Sequence, residues 1–260
     1  MHFKDYANYY NLLYKDKDYK AEADYIHSLI QQFAPQSKTL IDLGCGTGNH
    51  AFEFEKLGYE ITGVDLSTQM VAIANANKEK HNSTISFSEG DIRTYRDSKK
   101  YDAVVSLFHV MSYQTTNDDL EKAFLTAKNL IGEDGVFIFD CWYGPAVLTD
   151  LPTSRTKNFE DEILSVSRTS TARIDYNTNV VEVIFDVEIK NKMTNALSTL
   201  EEVHPMRYLF KPEIDFFATK YQLKIVRHYT WMVKEIPTEK SWYCVFVLSS
   251  NILRRADVIF

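Results

Sequence analysis

The fold is decided by one stretch of this sequence, Thr39-Leu-Ile-Asp-Leu-Gly-Cys-Gly-Thr-Gly-Asn49. The stretch predicts a buried strand that runs into three alternate glycines and then into a helix. Because glycine has no Cβ, Gly44, Gly46 and Gly48 permit positive φ angles and let a ligand lie almost against the backbone. The pattern therefore indicates a nucleotide site at the end of the first strand of an α/β fold.

The spacing of these glycines differs from the dinucleotide fingerprint. That fingerprint is G-x-G-x-x-G with a pyrophosphate on the helix N-terminus, whereas this chain has G-x-G-x-G with an acid, Asp42, two residues ahead. An acid at this position repels a pyrophosphate and suits a cationic ligand that carries an ammonium group. S-adenosylmethionine is such a ligand.

Two more acids follow at the ends of the next two expected strands. The first lies in Tyr59-Glu-Ile-Thr-Gly-Val-Asp-Leu66, where the carboxylate of Asp65 can accept from both ribose hydroxyls. The second lies in Ser88-Glu-Gly-Asp-Ile-Arg93, where Asp91 can accept from the adenine amino group and Ile92 can supply an apolar wall. Taken singly, either acid can equally cap the helix or turn that follows. It is the set of acids, in register with three strands, that favours a nucleoside site.

With these residues the chain resembles the class I S-adenosylmethionine-dependent methyltransferases over residues 38–142. The resemblance implies an α/β fold with a Rossmann-like sheet of seven mostly parallel strands, helices on both faces and an antiparallel terminal hairpin. It also implies S-adenosylmethionine as the cofactor. Cys45 is expected to be a small loop filler rather than a nucleophile. The cofactor-binding residues expected on this basis are Tyr10, Tyr19, Asp42, Gly44, Cys45, Gly46, Gly48, Asp65, Leu66, Met70, Asp91, Ile92 and Leu107.

Composition argues against several other classes of protein. The formal net charge of −7 disfavours a nucleic-acid partner, because phosphate-backbone binding needs a basic face. Three widely separated cysteines without a C-x-x-C motif indicate neither a zinc site nor a disulfide framework, so no metal is expected. The polar N-terminus does not resemble a signal peptide, and no apolar run approaches the length of a membrane span. We therefore expect a cytoplasmic protein with no membrane partner.

Strands alternate with helices over the first half of the chain, which predicts a parallel sheet covered on both faces. Ser67 and Asn117 are expected as helix N-caps, and Gly132 is expected to close the helix that starts at Asn117. The expected strands are 38–43, 59–65, 84–88, 101–107 and 135–141, and the expected helices are 48–57, 67–79 and 117–131.

After Trp142 the pattern changes to the alternation typical of half-buried strands. It predicts a small antiparallel β insertion after the fifth strand, in which Pro205 is best tolerated on an edge strand. The insertion is expected to have three strands, 163–172, 179–189 and 198–209. The main sheet then resumes with a helix from Pro212 to Tyr221 and a hairpin of strands 222–230 and 242–249.

The expected domain organisation has three parts. Two tyrosine-rich helices joined by a polar elbow form an N-terminal lid over residues 1–36. The methyltransferase domain comprises residues 37–143 and 211–260, and the β insertion comprises residues 144–210.

The chemistry of methyl transfer directs attention to the end of the fourth strand. Transfer from a sulfonium needs alignment more than acid–base help, since its leaving group departs neutral, but an amine acceptor must first lose its proton. Ligands in α/β sheets bind beyond the carboxyl ends of the strands, so Ser106-Leu-Phe-His-Val-Met-Ser-Tyr113 is expected to bring His109 and Tyr113 beside the methyl group. A structural histidine and an amphipathic filler are the alternatives for these two residues.

Four further stretches, less specific than the glycine turn, point to one group within this family. They are Tyr10-Asn-Leu-Leu-Tyr14, the Phe108 to Tyr113 loop, Asp140-Cys-Trp-Tyr-Gly-Pro145 and Glu202-Val-His-Pro-Met-Arg-Tyr-Leu-Phe210. Together they look like the sugar N-methyltransferases that act on nucleotide-linked amino sugars. That resemblance implies a tyrosine-lined lid over the cofactor, and an insertion that shapes the substrate site or a homodimer contact. It implies as catalytic candidates Tyr113, His109, His204 and Tyr14.

Alternatives stay open for His204, for Arg207 and for the function itself. His204 can be a hydrogen-bonded member of a mixed sheet face, and Arg207 can bind a phosphate or form an exposed salt bridge. The acceptor can instead be glycine-like or another small amine. A non-catalytic module that binds S-adenosylmethionine or S-adenosylhomocysteine is a further alternative and requires a blocked substrate cavity.

Overall fold

The computed structural model describes residues 12–251. Tyr10 and most of the first expected lid helix lie outside the described residues. In chain order the helices and strands are α1 (Tyr19–Phe33), β1 (Thr39–Leu43), α2 (Asn49–Lys56), β2 (Glu60–Asp65), α3 (Thr68–His81), β3 (Ser86–Glu89), β4 (Tyr101–Ser106), α4 (Asn117–Leu130), β5 (Ile131–Trp142), α5 (Gly144–Thr149), β6 (Arg155–Glu160), β7 (Leu164–Asp175), β8 (Val180–Asn191), β9 (Leu197–Arg207), α6 (Lys211–Lys220), β10 (Lys224–Thr230) and β11 (Tyr243–Ser249). A short 3₁₀ helix, Val110–Tyr113, lies between β4 and α4.

Seven strands form the main sheet, in the order β10-β11-β5-β4-β1-β2-β3. β1 to β5 pair in parallel, whereas β11 runs antiparallel to both β5 and β10. The expected Rossmann-like sheet with a reversed terminal hairpin is thus confirmed. After β3 the chain returns to the other side of β1, so the carboxyl ends of β1 and β4 flank the crevice where such sheets bind ligands.

Apolar faces of the helices cover both sides of this sheet. On one side α1 buries Ile26, Leu29 and Ile30, the i, i+3, i+4 spacing that places side chains on a single helical stripe. On the other side α4 and α6 bury Phe124 and Phe217, whose rings stack with centroids 5.8 Å apart. The two layers hold the strand ends rigidly where the glycine turn emerges.

The boundaries of α4 correct two expectations. Thr116, not Asn117, is the N-cap, because its hydroxyl accepts from the backbone N–H of Asp119 at 3.0 Å. Gly132 does not close the helix: α4 ends at Leu130 and the chain enters β5 directly, with Gly132 inside that strand. Pairing with β4 begins as soon as the helix ends, so no left-handed residue is needed there. Ser67 is confirmed as the N-cap of α3.

The insertion forms a separate antiparallel sheet in the order β6-β7-β8-β9. It has four strands instead of the expected three, because β6, with the sequence Arg-Thr-Lys-Asn-Phe-Glu, is a polar and mostly exposed edge without the apolar alternation that identifies a strand. Pro205 lies on β9, which is the other edge, as expected. The short helix α5 was also not expected from the sequence.

Arg207 ties the end of β9 to the main domain. Its guanidinium donates to the side-chain oxygen of Asn117 at 2.6 Å and forms an ion pair with Glu213. The residue is buried, so it is neither a phosphate ligand nor an exposed salt bridge. None of the helices within residues 12–251 has the length and hydrophobicity that a membrane span requires.

Candidate functional site

A cavity of about 840 Å³ extends from the carboxyl edge of the main sheet to the inner face of the inserted sheet. This is the position that strand order favours in an open α/β fold. Twelve of the expected site residues line it, namely Tyr14, Gly44, Gly46, Asp65, Leu66, Met70, Asp91, Ile92, Leu107, His109, Tyr113 and His204.

Four other expected residues are not among those that line the cavity. A Cβ on Gly48 would approach the ring of Phe87 to 2.8 Å, so this glycine serves close packing between α2 and the sheet. Cys45 is buried, and burial raises the pKa of its thiol well above the usual value, which agrees with a filler role. Tyr19 contacts the ring of His50 edge-on at 4.9 Å, and Asp42 lies at the end of β1.

The glycine turn brings main-chain atoms to the cavity surface. Gly44 has a φ of +90°, and a Cβ there would lie 2.5 Å from the side chain of Val110. Gly46 has a φ of +55°, and a Cβ there would meet nothing within 4 Å, so open space adjoins this backbone. The N–H groups of Gly44 and Cys45 both donate to the carbonyl of Val64, at 2.7 and 3.0 Å, which fixes the turn against β2.

Asp65 closes the other side of this turn. Its Oδ2 accepts from the N–H of Gly46 and its Oδ1 from the N–H of Ser67, both at 2.8 Å. Burial raises the pKa of this carboxyl above its usual value, although both hydrogen bonds act in the opposite direction. Because each carboxylate oxygen can accept more than one hydrogen bond, the group keeps acceptor capacity toward the cavity.

Asp42 is a buried carboxyl with a strongly raised pKa. It is 1% exposed, and its Oδ1 has no hydrogen-bond partner within residues 12–251. Burial raises its pKa to about 7, although His50 acts to lower it. A buried carboxylate oxygen without a donor is costly, and a cationic ligand would supply that donor. The donor set therefore fits a cofactor that carries an ammonium group.

Asp91 is held by an arginine. Both of its oxygens accept from the guanidinium of Arg93, with Nε at 2.9 Å from Oδ1 and at 3.0 Å from Oδ2, and Arg93 also reaches Asp119 at 2.8 Å. These contacts with Arg93 hold the pKa of Asp91 below its usual range. Arg93 therefore orients the carboxylate, a partner that the sequence did not indicate.

The turn after β4 is strained and anchored to a buried acid. Phe108 and His109 both have positive φ angles, 63° and 65°, which non-glycine residues rarely adopt and which tend to persist at functional sites. The N–H of His109 donates to Asp140 at 3.2 Å. The imidazole Nδ1 of His109 lies 2.6 Å from an Asp140 oxygen, outside hydrogen-bond geometry. The imidazole also stacks on Tyr243 at 4.5 Å.

A chain of polar contacts crosses from the main domain to the insertion. The hydroxyl of Tyr113 lies 2.9 Å from Nδ1 of His204, and Nε2 of His204 lies 3.3 Å from Glu202. Burial raises the pKa of Tyr113 above its usual value. The structure thus brings together Tyr113, which the end of the fourth strand indicated, and His204, which only the resemblance indicated, and it adds Glu202.

Several residues in and around the cavity were not expected from the sequence. Asp140, which anchors the turn after β4 but does not line the cavity, could have been found, because it lies near the end of a buried strand at the ligand-binding edge. The lining residues from the insertion and the last hairpin have no local motif that marks them; they include Arg155, Phe185, Trp242 and Tyr243.

Comparisons with known proteins agree with this geometry. A methyltransferase-domain family model matches residues 40–135. The dTDP-3-amino-3,4,6-trideoxy-α-D-glucopyranose N,N-dimethyltransferase of Streptomyces venezuelae is 30% identical over 227 residues, covering 86% of this chain and 92% of that protein. The structure resembles an S-adenosylmethionine-dependent methyltransferase from Clostridium acetobutylicum, with a TM-score of 0.80, 21% identity and coverage of 95% and 98% of the two chains.

A sugar N-methyltransferase from a Streptoalloteichus species has the same fold, with a TM-score of 0.78, 21% identity and coverage of 93% and 92%. The identity to the Streptomyces protein over most of both chains establishes the family, and the glycine turn with its three acids explains the cofactor. The chain belongs to the class I S-adenosylmethionine-dependent methyltransferases, the family that also contains its dTDP-amino-sugar N,N-dimethyltransferase relative.

Proposed function

We propose that the protein transfers methyl groups from S-adenosylmethionine to the amine of a sugar that is linked to a nucleoside diphosphate. The observation that carries this proposal is the cavity, which continues from the glycine turn past the end of β4 to the inserted sheet. At about 840 Å³ it lies in the upper part of the range of small-molecule pockets, so it has room for an acceptor beside the cofactor. The names of two similar proteins, a dTDP-amino-sugar N,N-dimethyltransferase and a sugar N-methyltransferase, support this class of acceptor.

The cofactor half of the cavity adjoins β1, β2 and β4. In this proposal Asp42 accepts from the ammonium group, Asp65 accepts from the ribose hydroxyls and Asp91 lies near the adenine amino group. Apolar walls come from Leu66, Met70, Ile92 and Leu107, which surround the same half. When bound, S-adenosylmethionine supplies a methyl group on a positively charged sulfur. The carboxylates favour that charge, and the apolar walls exclude water from it.

The other half of the cavity, here called the acceptor half, is lined by Trp142, Arg155 and Trp242 and has features that suit a nucleotide. The rings of Trp142 and Trp242 meet edge to face with centroids 5.5 Å apart, and the indole N–H of Trp242 donates to Asp150 at 3.1 Å. Arg155 begins β6 at the cavity, and its guanidinium takes part in no ion pair with any other residue of the range 12–251. In this proposal an indole face supports the base, and Arg155 pairs with the diphosphate.

The two alternatives are less favoured by the same cavity. A glycine-sized acceptor would leave most of the acceptor half empty, and among residues 12–251 this half offers a free carboxylate chiefly Arg155. A non-catalytic binding module would need a blocked acceptor half, whereas this half is open and continuous with the cofactor half.

The lid and the insertion have proposed roles of their own. Tyr14 lines the cavity and meets the ring of Phe108 edge-on at 5.1 Å, and Nζ of Lys17 lies 4.4 Å from the centroid of that same ring. These contacts support a role for residues 1–36 in covering the cofactor. A homodimer built through the insertion stays a prediction, which light scattering of the purified protein checks.

The experiment measures labelled methyl transfer to dTDP-3-amino and dTDP-4-amino sugars, in parallel with glycine, sarcosine and the corresponding methyl glycosides without phosphate. We expect turnover on at least one sugar nucleotide and a preference over its methyl glycoside. Arg155→Gln should raise the KM for the sugar nucleotide and leave the KM for the methyl glycoside unchanged. Lys157→Gln, two residues further along β6 and outside the cavity, is the matched control. Turnover on glycine without turnover on any sugar nucleotide would reject the proposal.

A further inference from the structure

The contact chain from Tyr113 to Glu202 has the order and geometry of a proton relay. Tyr113 ends the 3₁₀ helix of the main domain, whereas Glu202 and His204 are two residues apart on β9 and therefore share one face of that strand. The side chains of His204 and Glu202 are only 5% and 9% exposed, so both polar groups are held away from bulk water. Tyr113 lines the cavity and is 36% exposed as a whole residue, while its hydroxyl contacts the buried His204.

We propose that Tyr113 accepts the proton of the acceptor amine and passes its own hydroxyl proton to Nδ1 of His204, while Glu202 positions the imidazole. The inference rests on the proposed function, since it assumes an amine acceptor. Tyr113 is the catalytic residue in this scheme, because it touches the substrate. His204 takes up the proton behind it, and Glu202 is a positioning residue.

Glu202 decides which nitrogen of His204 can receive a proton. A carboxylate 3.3 Å from Nε2 favours the tautomer in which that nitrogen carries the hydrogen and donates it. Nδ1 then keeps its lone pair and accepts from the Tyr113 hydroxyl at 2.9 Å. The opposite tautomer would set the lone pair of Nε2 against the Glu202 carboxylate and would make the Tyr113 hydroxyl an acceptor from Nδ1. The same logic orients the histidine of a catalytic triad through a carboxylate.

The balance of protons and electrons follows from this order. The acceptor ammonium loses one N–H proton to the Tyr113 oxygen as the Tyr113 hydroxyl proton moves to His204, which becomes an imidazolium. Methyl transfer forms an N–C bond and breaks a C–S bond, whose electron pair stays on sulfur. The methylated product is again an ammonium, so one further proton must leave before any second transfer. Between turnovers His204 returns its proton through the Tyr113 hydroxyl to water in the cavity.

The surroundings favour a concerted transfer over a free phenolate. Burial raises the pKa of Tyr113, and Tyr14, Glu202 and Asp65 act in the same direction. The ring of Phe185 on β8 packs against His204 at 5.0 Å and separates it from the guanidinium of Arg168 on β7, which lies 4.5 Å from the same ring. Glu202 is a charged group in direct contact with the imidazole, with its Oε2 3.3 Å from Nε2.

The first test measures kcat and acceptor KM for a dTDP-amino sugar with three variants of the full chain. Tyr113→Phe and His204→Asn should each lower kcat by about 100-fold or more, the usual contribution of a positioned proton acceptor, with little change in acceptor KM. Glu202→Gln should lower kcat by roughly 10-fold, because the amide binds Nε2 without a charge. The matched control is Glu201→Gln, an exposed acid on the opposite face of β9, which should behave as wild type.

The pH dependence separates this role from a structural one. As pH rises toward the pKa of the free amine, more acceptor binds already deprotonated, so the deficits of Tyr113→Phe and His204→Asn should shrink at pH 9 relative to pH 7. A defect in packing would not recover in this way. A Tyr113→Phe enzyme with kcat within twofold of wild type, or a deficit that is independent of pH, would overturn the relay.

The second test needs no acceptor, so its result is independent of the proposed function. Nitrogen NMR of histidine-labelled protein, assigned by comparison with His204→Asn, reports the tautomer of His204. We expect hydrogen on Nε2 and a lone pair on Nδ1 in wild type. A ring with hydrogen on Nδ1, or an imidazolium, would refute the relay even where sugar methylation is found. If no sugar nucleotide is methylated but the Nε2–H tautomer is present, the proposed acceptor fails and the kinetic test moves to the amine that is methylated.

Discussion

Replacement of Asp42 by asparagine should change how cofactor binding depends on pH. The carboxyl is 1% exposed, and burial raises its pKa to about 7. In the absence of ligand it is therefore largely protonated at mildly acidic pH, although an ordinary aspartate would be ionised there. Only the ionised form offers a charge to the ammonium group of a bound ligand.

The size of the effect follows from the fraction of protein in the binding-competent form. With a pKa of about 7, roughly 3% of Asp42 is ionised at pH 5.5 and about half at pH 7.0. Because apparent affinity scales with the competent fraction, the affinity for S-adenosylhomocysteine should rise about 16-fold between these pH values. The ligand ammonium, with a pKa of roughly 7.7 to 8.0, stays protonated across this window.

Isothermal titration calorimetry with S-adenosylhomocysteine measures this directly, since the ligand keeps the ammonium group and supports no turnover. At pH 7 Asp42→Asn should bind roughly 10- to 150-fold more weakly, the factor that corresponds to a hydrogen bond with a charged group. Any slope that Asp65 contributes appears in both proteins, so the difference between them reports Asp42. Asp118→Asn, an exposed acid on α4, is the control. Equal slopes for wild type and Asp42→Asn would refute the assignment.

Three further predictions concern stability and the frame of the site. Because the folded state holds a proton on Asp42 that the unfolded chain loses near pH 4, the ligand-free protein should lose stability as pH rises from about 4 to 7, and Asp42→Asn should remove up to ~4 kcal/mol of that loss in urea unfolding. Gly44→Ala should abolish S-adenosylhomocysteine binding, whereas Gly58→Ala, with a similar φ of +93° but open space around its Cβ, should cost only about 1–2 kcal/mol of stability and keep binding. Arg207→Ala should destabilise by about 3–5 kcal/mol in thermal unfolding, because Glu213 is left without its partner, and an unchanged Tm would show that the buried pair contributes nothing.

The cofactor half could be predicted because its residues follow from local rules. The glycine turn, Asp42 and Asp65 each lie at the end of a short apolar strand, and parallel strands bring their carboxyl ends to one edge. No long-range information is needed to place them together. Asp91 shows the limit of this approach, since its position was expected but its partner Arg93 was not.

The acceptor half could not be predicted in the same way. Trp142 and Trp242 are 100 positions apart and meet only because β11 pairs with β5 in one register. β6 contributes Arg155 from a strand whose polar sequence carries no period-two signal. The prediction that Gly132 closes α4 was wrong for a related reason. Strand pairing begins at Ile131 and overrides the tendency of a glycine to end a helix.

The position of the inserted sheet determines whether the relay exists at all. Tyr113 belongs to the main domain and His204 to the inserted sheet. Their 2.9 Å contact therefore depends on how β9 is held against the main domain. Arg207, three residues beyond His204, provides that attachment through Asn117 and Glu213, at the desolvation cost of a buried ion pair. An apolar contact would also stabilise the attachment of β9, but it would let β9 slide along the main domain. The hydrogen bonds of a guanidinium fix both direction and distance. A shift of about 1 Å is enough to degrade a proton-transfer geometry, so we infer that the buried pair is retained for the alignment it imposes.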